Sequence, residues 1–288
     1  MMKTPLPGYS WVEEKAMAVI TISRGTFTGG QALAECLAEK LRYQCLSREV
    51  ILDAAASFGV SVEKFVEAME KPPSVWERLT GERTEYLNYL RAALLERVLG
   101  DNLVYHGYAG HLLLAGVPHV IKVRAIADIE TRVQTAMARH GLDRKDAVAR
   151  VKRIDKERSE WMRFLFGVNW EDPRQYDIVV NVSRLGIADA CDLVASMAAM
   201  KAFQPTPEST RAVMDLVLAS RVWVTLAQNP ETAGSNLKVT SEGGVVTITG
   251  TAVSWDVVDA ISVVARSVEG VHEVRSDVGV NPLYATPI

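Results

Sequence analysis

The chain has 288 residues, of which 48% are hydrophobic and 23% are charged, and its net charge is −3. This composition is typical of a globular protein with a substantial core, and it provides no basic excess for wholesale nucleic-acid binding. No stretch of about 18 residues is continuously apolar, so we expect no integral membrane association. Residues 1–15 lack the basic start and apolar run of a signal peptide, which predicts a cytoplasmic protein.

Cysteine and histidine are sparse. Cys36, Cys45 and Cys191 have no C-x-x-C spacing and no neighbouring histidine cluster. We therefore expect them to be small buried hydrophobic side chains, and neither a metal site nor a disulfide framework. The histidines at 106, 111 and 119 show no metal-ligand spacing either, and we interpret them as structural.

The first predicted unit joins a strand, a glycine loop and a helix. Residues 16–23 (AMAVITIS) are apolar and rich in β-branched side chains, which predicts a buried strand. Residues 24–30 (RGTFTGG) contain three glycines and predict a loop. Leucines at four-residue spacing predict a helix over 31–42. This order is typical of the first unit of an α/β phosphate-binding fold.

Strands and helices continue to alternate after this unit. The segment up to Leu99 is predicted to be mostly helical, with interruptions at Pro72-Pro73 and Gly81. The later elements are predicted as strands over 102–106, 119–124 and 177–182 and helices over 128–140, 143–166 and 187–202. Strands separated by helices favour a parallel sheet covered on both faces.

A second domain is predicted after a proline-containing linker. The boundaries are 1–203 for the first domain, 204–207 for the linker and 208–288 for the second domain. The second domain is predicted as a helix over 208–228, a hairpin of strands 237–240 and 245–249, a helix over 256–268 and a strand over 271–278. This is a small α+β unit, and it is acidic, with five Lys and Arg against nine Asp and Glu from residue 205 onward.

The glycine loop lacks two parts of a Walker A loop. Residues 25–30 supply the glycine frame, but Gln31 and Ala32 stand where that motif has a lysine and a hydroxyl. Its place at the start of a predicted helix favours an anion. Arg24 is a candidate to supply the charge, and Thr26 or Thr28 a hydroxyl. The alternative is an ordinary glycine turn.

Two segments carry a family resemblance. Ile22-Ser23-Arg24 followed by Gly29-Gly30 is similar to an I-S-R-x-x-x-x-G-G loop, and residues 139–181 contain, in order, a charged helix, FLFGVNW, Asp-Pro and YDIVVN. This set resembles the cytidylate kinase-like family over most of 17–200. The resemblance implies a P-loop-kinase-like parallel sheet with a helical lid.

The resemblance also implies site residues. ATP and Mg²⁺ are the implied cofactors, the metal ligands are unknown, and the predicted nucleotide- or phosphate-binding residues are Ser23, Arg24, Gly25, Thr26, Thr28, Gly29, Gly30, Gln31 and Arg150. Arg153 and Arg158 on the charged helix are the predicted catalytic phosphate contacts, with Asp155 for lid pairing or metal. The alternative for this helix is a solvated face of paired charges.

The predicted acceptor site is Ser47, Arg48, Glu49 and Tyr108, by the same resemblance. Arg48 and Glu49 match a basic-acidic pair of the family, whereas Ser47 stands where an aspartate is common. Tyr108 replaces the arginine of a G-R-G-A-like turn, to stack on a base or simply to pack. Together with Gln31, three positions are therefore neutral where the family is charged.

The second domain resembles a BON domain. The resemblance lies in residues 243–253 (GGVVTITGTAV) and 268–274 (VEGVHEV), and it implies a binding module with a ligand or partner of its own. The alternative is a dimerisation or stability module, so a homo-oligomer stays open.

Three functional hypotheses follow. The first is an ATP-dependent nucleoside monophosphate kinase acting on CMP or dCMP, with small-molecule nucleotides as its partners. The second is a catalytically impaired sensor of a nucleotide or another ligand, which the neutral substitutions and the fused BON-like domain motivate. The third is an assembly role without nucleotide binding.

Overall fold

A computed structural model describes residues 18–63, 82–100, 102–107 and 109–281 of the protein. The interruptions expected at Pro72-Pro73 and Gly81, and the acceptor candidate Tyr108, lie outside these residues. Within the described ranges, no helix combines the length and apolar character needed to cross a bilayer.

The first domain is built around a five-stranded sheet in the order β2-β3-β1-β4-β5. Every described pairing in this sheet is parallel, as the alternation of strands and helices predicts. In chain order its elements are β1 (Val19–Arg24), α1 (Gly30–Leu41), β2 (Gln44–Ser47), α2 (Arg48–Ala56), α3 (Glu82–Val98), β3 (Leu103–His106), α4 (Gly110–Leu113), β4 (Val120–Ile126), α5 (Ile129–His140), α6 (Arg144–Phe166), β5 (Ile178–Asn181) and α7 (Val182–Ala198).

The two faces of this sheet have separate cores. Val19 and Val120 pack with α2, α3, α4 and the C-terminal part of α6 on one face. Ile20 and Ile121 pack with α1 and α7 on the other. Neighbouring residues of one strand point to opposite faces, so the continuous apolar run of β1 is buried on both sides. The predicted α/β class, with helices on both faces, is confirmed.

The second domain has a three-stranded sheet in the order β6-β7-β8. Its elements are α8 (Pro207–Gln228), β6 (Asn236–Glu242), β7 (Val245–Ala252), α9 (Trp255–Arg266) and β8 (Glu273–Val280). The hairpin β6–β7 is antiparallel, and β8 returns parallel to β7. Helices α8 and α9 cover this sheet through a core that includes Val222, Ile248 and Ile261. The predicted α+β unit is confirmed.

Helix α8 belongs to both domains. Val213 and Val217 in its first half pack into a core of the first domain, whereas Val222 and Leu226 in its second half pack into the core of the second. An Arg221–Glu96 ion pair, at 2.6 and 2.8 Å, joins α8 to α3 beside these contacts. The linker at 204–207 stays a predicted boundary, and α8 beyond it fixes the second domain against the first.

Two of the cysteines form a disulfide that the sequence-based analysis did not predict. Cys36 of α1 and Cys191 of α7 form a disulfide, with their Cα atoms 6.2 Å apart, so the expectation that the cysteines are only small buried side chains is wrong for this pair. The two helices pack side by side on one face of the sheet, which brings together residues 155 positions apart. That proximity is a tertiary property that cysteine spacing does not reveal. Cys45 is free, and burial raises the pKa of its thiol.

Candidate functional site

The glycine loop follows the C-terminal end of the central strand β1. Gly29 has a φ of +79°, which an L-residue adopts only with strain. A Cβ at Gly30 would lie 2.6 Å from the side chain of Arg24, so glycine lets Arg24 fold back over the start of α1. The first turn of α1 has no side-chain cap and no acidic residue. Its N–H groups therefore form a ready anion site.

Side chains fix the loop through its carbonyl groups. The Thr28 hydroxyl donates to the Gly25 carbonyl at 3.0 Å. Arg132 Nε on α5 donates to the Thr26 carbonyl at 2.7 Å, and Arg158 on α6 donates to the Arg24 carbonyl at 3.1 Å. Three side chains thus hydrogen-bond to carbonyl groups of the loop, and two of them are arginines on helices α5 and α6.

A cavity of about 470 Å³ lies over the loop. It is lined by five of the predicted phosphate-binding residues, Arg24, Thr26, Thr28, Gly29 and Gln31, and by side chains from α5, α6 and α7. Ser23, Gly25 and Gly30 are not among its lining residues. The charged groups among its lining are Arg24, Arg139 and Arg158. Three guanidinium groups beside an uncapped helix N-terminus are chemically suited to a polyphosphate. We call this volume the donor cavity.

Gln31 lies at the rim of the donor cavity without the charge of a Walker lysine. Its side chain is exposed, and its Nε2 donates to Glu35 Oε1 one turn along the helix, at 2.9 Å. The positive charge facing the loop comes instead from the three arginines of the donor cavity. The sequence-based candidate for this compensation, Arg24, lies there as expected.

The residues of the loop fit a nucleotide phosphate better than a bare metal ion. No group of three or more His, Cys, Asp or Glu side chains comes together among the described residues. The buried hydroxyl of Thr28 is already engaged with Gly25. Magnesium usually keeps several waters and is held by substrate phosphates with one or two protein oxygens. The arrangement suits magnesium that arrives with a nucleotide.

Asp155 connects helix α6 to helix α5 above the loop through an ion pair with Arg132. Its carboxylate accepts two hydrogen bonds from Arg132 Nη2, at 2.8 and 2.7 Å, and the two side chains are only 26% and 12% exposed. Arg132 in turn holds the loop at Thr26. Asp155 was predicted for lid pairing or for metal, and its position corresponds to lid pairing.

The other charged residues of α6 are placed differently. Arg158 lies at the loop, but Arg153 points away: its side chain is 63% exposed and pairs with Glu157 at 3.1 Å. Arg150 is partly buried and lines neither the donor cavity nor the second cavity described below. Their predicted phosphate contacts stay predictions, and for Arg153 the placement does not favour one.

A second cavity, of about 270 Å³, lies on the other side of Arg24 and Arg158. It is lined by residues from the ends of β1 and β3, from α2 and from the C-terminal end of α6: Ser23, Arg24, Arg48, Glu49, His106, Gly107, Ala109, Arg158, Trp161, Met162 and Trp170. Of the predicted acceptor residues, it includes Arg48 and Glu49 but not Ser47. We call this volume the acceptor cavity.

Ser47 acts on the acceptor cavity through Glu49. A hydrogen bond from the Ser47 side chain lowers the pKa of the Glu49 carboxyl, with smaller contributions from Arg48 and His106. Glu49 is therefore ionised near neutral pH and offers a hydrogen-bond acceptor beside the guanidinium of Arg48.

His106 brings a neutral polar group into the acceptor cavity. The side chain is only 6% exposed, and burial, followed by the nearby charge of Arg24, lowers the pKa of its imidazole. Its Nδ1 has no hydrogen-bond partner among the described residues, and neither does the indole Nε1 of Trp170 on the same cavity wall. Buried polar atoms in this state are suited to hydrogen-bond a ligand.

A hydrogen-bonded cluster positions Trp170. The Tyr176 hydroxyl donates to the Trp170 carbonyl at 2.7 Å and lies 3.2 Å from the hydroxyl of Ser23. The guanidinium of Arg124 lies 4.2 Å from the centroid of the Trp170 ring. This buried cation stacks on the Trp170 ring without lining the acceptor cavity, and it holds the indole in place.

Several of these site residues were not predicted from the sequence. Arg132 gave no signal, because a single arginine on an amphipathic helix is usually solvated. Arg139 begins the segment that carried the family resemblance, but no role was assigned to it. His106 was interpreted as structural. Trp170 and Tyr176 lie within the segments FLFGVNW and YDIVVN, which carried the family resemblance, but no role was assigned to them.

The comparisons agree with the geometry of the first domain. A model of the cytidylate kinase-like family matches residues 19–184. The cytidylate kinase of Methanosarcina acetivorans is 25% identical over 178 residues, which cover 61% of this chain and 93% of that protein. The cytidylate kinase of Halobacterium salinarum is 25% identical over 198 residues, covering 66% of this chain and 95% of that protein.

A BON-domain model matches residues 215–282, which confirms the predicted resemblance of the second domain. The crystal structure of an uncharacterized protein from Eubacterium ventriosum shares the fold of the first domain, with 22% identity and a TM-score of 0.51, covering 63% of this chain and 97% of that chain. The family match spans more than half of the 288 residues and includes the loop, the helix above it and the acceptor cavity. The chain therefore belongs to the cytidylate kinase-like family and carries a C-terminal BON domain.

Proposed function

We propose that the protein is an ATP-dependent kinase of a nucleoside monophosphate, with CMP or dCMP as the acceptor. One observation carries the proposal: the donor and acceptor cavities meet at Arg24 and Arg158, which line both. Phosphoryl transfer needs two substrates placed in line, with positive charge where they meet.

In the proposed reaction each of the two cavities that meet at Arg24 and Arg158 binds one substrate. The loop and α1 hold the donor phosphates, and Arg48 holds the phosphate of the acceptor. An oxygen of the acceptor phosphate bonds to the γ-phosphorus of ATP. The bond between that phosphorus and the β,γ-bridging oxygen breaks, and ADP leaves with this oxygen. Arg158 stabilises the charge that develops on the transferred group. Magnesium, when bound with the nucleotide, neutralises part of the same charge.

The acceptor base is proposed to lie against the indole rings of the acceptor cavity. Trp170 Nε1 is a donor only, whereas a neutral imidazole at His106 can donate from one nitrogen and accept at the other. A cytosine edge carries both acceptors and a donor, so it can satisfy both groups. The names of the two archaeal relatives favour the same base.

The test is formation of ADP and CDP from ATP and CMP by the purified full chain with magnesium. The same protein is offered AMP, GMP, UMP and dCMP under identical conditions. CDP or dCDP formation above that of the other diphosphates supports the proposal. Tight ATP binding without any nucleoside diphosphate product would contradict it.

A second candidate function is nucleotide sensing without efficient turnover. The observation in its favour is Gln31, whose side chain is tied to Glu35 and leaves the loop without a lysine. In that case calorimetry detects ATP binding, and no acceptor is phosphorylated. The BON domain then transmits the nucleotide-bound state of the first domain to a ligand or partner.

A further inference from the structure

A third cavity, of about 630 Å³, lies between the two domains, away from the donor and acceptor cavities. Its walls come from α3 of the first domain and from α8, β6 and β7 of the second. Its volume lies in the range of small-molecule sites, which occur preferentially at domain interfaces.

The first-domain wall contains a cation, Arg91, that pairs with no carboxylate in the part of the chain that the structure describes. Arg91 on α3 is partly buried, and burial lowers the pKa of its guanidinium. Its Nη2 donates to the Ala115 carbonyl at 3.3 Å, but its Nε has no partner, and no carboxylate among the described residues lies within 4 Å of it. A guanidinium has five donors, and leaving a buried charge unpaired is costly.

The acidic residue of this cavity is already engaged elsewhere. Asp215 on α8 accepts hydrogen bonds from the Gly243 N–H at 2.8 Å and from the Ser241 hydroxyl at 3.4 Å. These bonds hold its carboxylate at the β6–β7 turn. Among the described residues Arg91 therefore has no carboxylate partner, and an anionic ligand could fill that place.

The second-domain wall combines an indole ring and aliphatic side chains with polar ones, among them Lys238. Trp223 lines the cavity and is held by an edge-on contact with Tyr89, with ring centroids 5.2 Å apart. Leu216, Leu237 and Val239 extend this surface along α8 and β6. A planar or apolar body placed here is desolvated by packing alone.

We propose that the interdomain cavity binds a small organic anion. Its carboxylate or phosphate pairs with Arg91, since both anions match the fork of a guanidinium. Its apolar or aromatic part packs on Trp223. Because Arg91 belongs to α3 of the first domain and Trp223 to α8, a ligand that contacts both links these two helices. The site does not depend on the proposed kinase reaction.

The test uses the full chain with two aryl anions, phenyl phosphate and phenylacetate, and the neutral phenylacetamide as the probe that lacks the charge. Calorimetry is run on the wild type, on Arg91→Gln, and on Arg97→Gln as a matched control, because Arg97 is an exposed arginine on the same helix. Ser220→Phe, which fills the cavity from α8, is a second variant that leaves Arg91 in place.

We expect at least one anion to bind the wild type and Arg97→Gln alike. Arg91→Gln is expected to weaken it about 10- to 100-fold, the range of a lost charge-assisted hydrogen bond. Ser220→Phe is expected to weaken it as well, and the amide to bind at least about tenfold more weakly. The tighter of the two anions identifies the head group.

Three outcomes would overturn the proposal. The first is that neither anion binds the wild type. The second is that Arg91→Gln and Ser220→Phe bind as the wild type does, or that the amide binds equally well. The third is that binding is lost in Arg158→Gln and kept in Arg91→Gln, which would place the anion in the kinase cavities.

Discussion

Replacing Arg158 with glutamine is expected to lower kcat for phosphoryl transfer by about 10²- to 10³-fold. The side chain lines both the donor and acceptor cavities, and its Nη1 donates to the Arg24 carbonyl at 3.1 Å. It is thus fixed in place before substrates bind. A preorganised hydrogen-bond donor to the transition state typically contributes about 3 to 4 kcal/mol, which corresponds to the expected 10²- to 10³-fold fall in kcat.

The assay measures ADP and CDP at saturating ATP and CMP, so that kcat is separated from KM. Because charge on the transferred group develops in the transition state, kcat is expected to fall more than the acceptor KM rises. Arg158→Lys retains the charge without the planar fork and is expected to be intermediate. Arg163→Gln removes an exposed arginine from the same helix and is the matched control.

A kcat for Arg158→Gln within about threefold of the wild type would refute this reasoning, since that is under 1 kcal/mol. So would an equal loss in Arg163→Gln, which would indicate a general effect of charge on α6. Thermal unfolding of each variant distinguishes lost catalysis from lost folding.

Three further results are expected. Asp155→Asn breaks the bidentate pair with Arg132, so urea denaturation is expected to give a free energy of unfolding lower by about 1 to 3 kcal/mol, whereas an unchanged value would mean that the pair contributes nothing. Gln31→Lys places a cation beside the loop and is expected to tighten ATP binding about tenfold by calorimetry; equal or weaker binding would contradict phosphate binding at this position. His111 is 3% exposed, and burial lowers the pKa of its imidazole to about 4. The unfolded chain therefore binds this proton first as the pH falls below about 6.5, so the free energy of unfolding is expected to be lower by about 2 kcal/mol at pH 5 than at pH 7, and His111→Phe is expected to reduce this dependence; an unchanged slope in the variant would contradict the assignment.

The sequence alone predicted the fold because its local signals agree with one another. The apolar run of β1, the glycine loop and the leucine spacing of α1 each specify one element, and their order allows few topologies. The change after Pro205 and Pro207, from alternating strands and helices to a hairpin, likewise predicted a second unit. It did not reveal that α8, which begins at Pro207, packs into the cores of both domains. The placement of Arg24, Arg48, Glu49 and Arg158 around one site was expected from the family resemblance.

Only the tertiary structure determined which charges face the donor and acceptor cavities. Arg153 and Arg158 lie on the same helix, but Arg158 reaches the loop, whereas Arg153 is exposed and pairs with Glu157. Helical spacing tells which residues share a face and not which face is covered.

Long-range proximity was also invisible in the sequence. The Cys36–Cys191 disulfide and the shared helix α8 depend on contacts between distant parts of the chain. The place of Arg91 in an interdomain cavity became apparent only when α3 was seen to lie against the second domain. The sequence by itself thus determined the elements and their order, because these depend on local patterns of side chains. Tertiary packing decided which side chains line the cavities and which charges pair, because burial and charge pairing depend on distances in space.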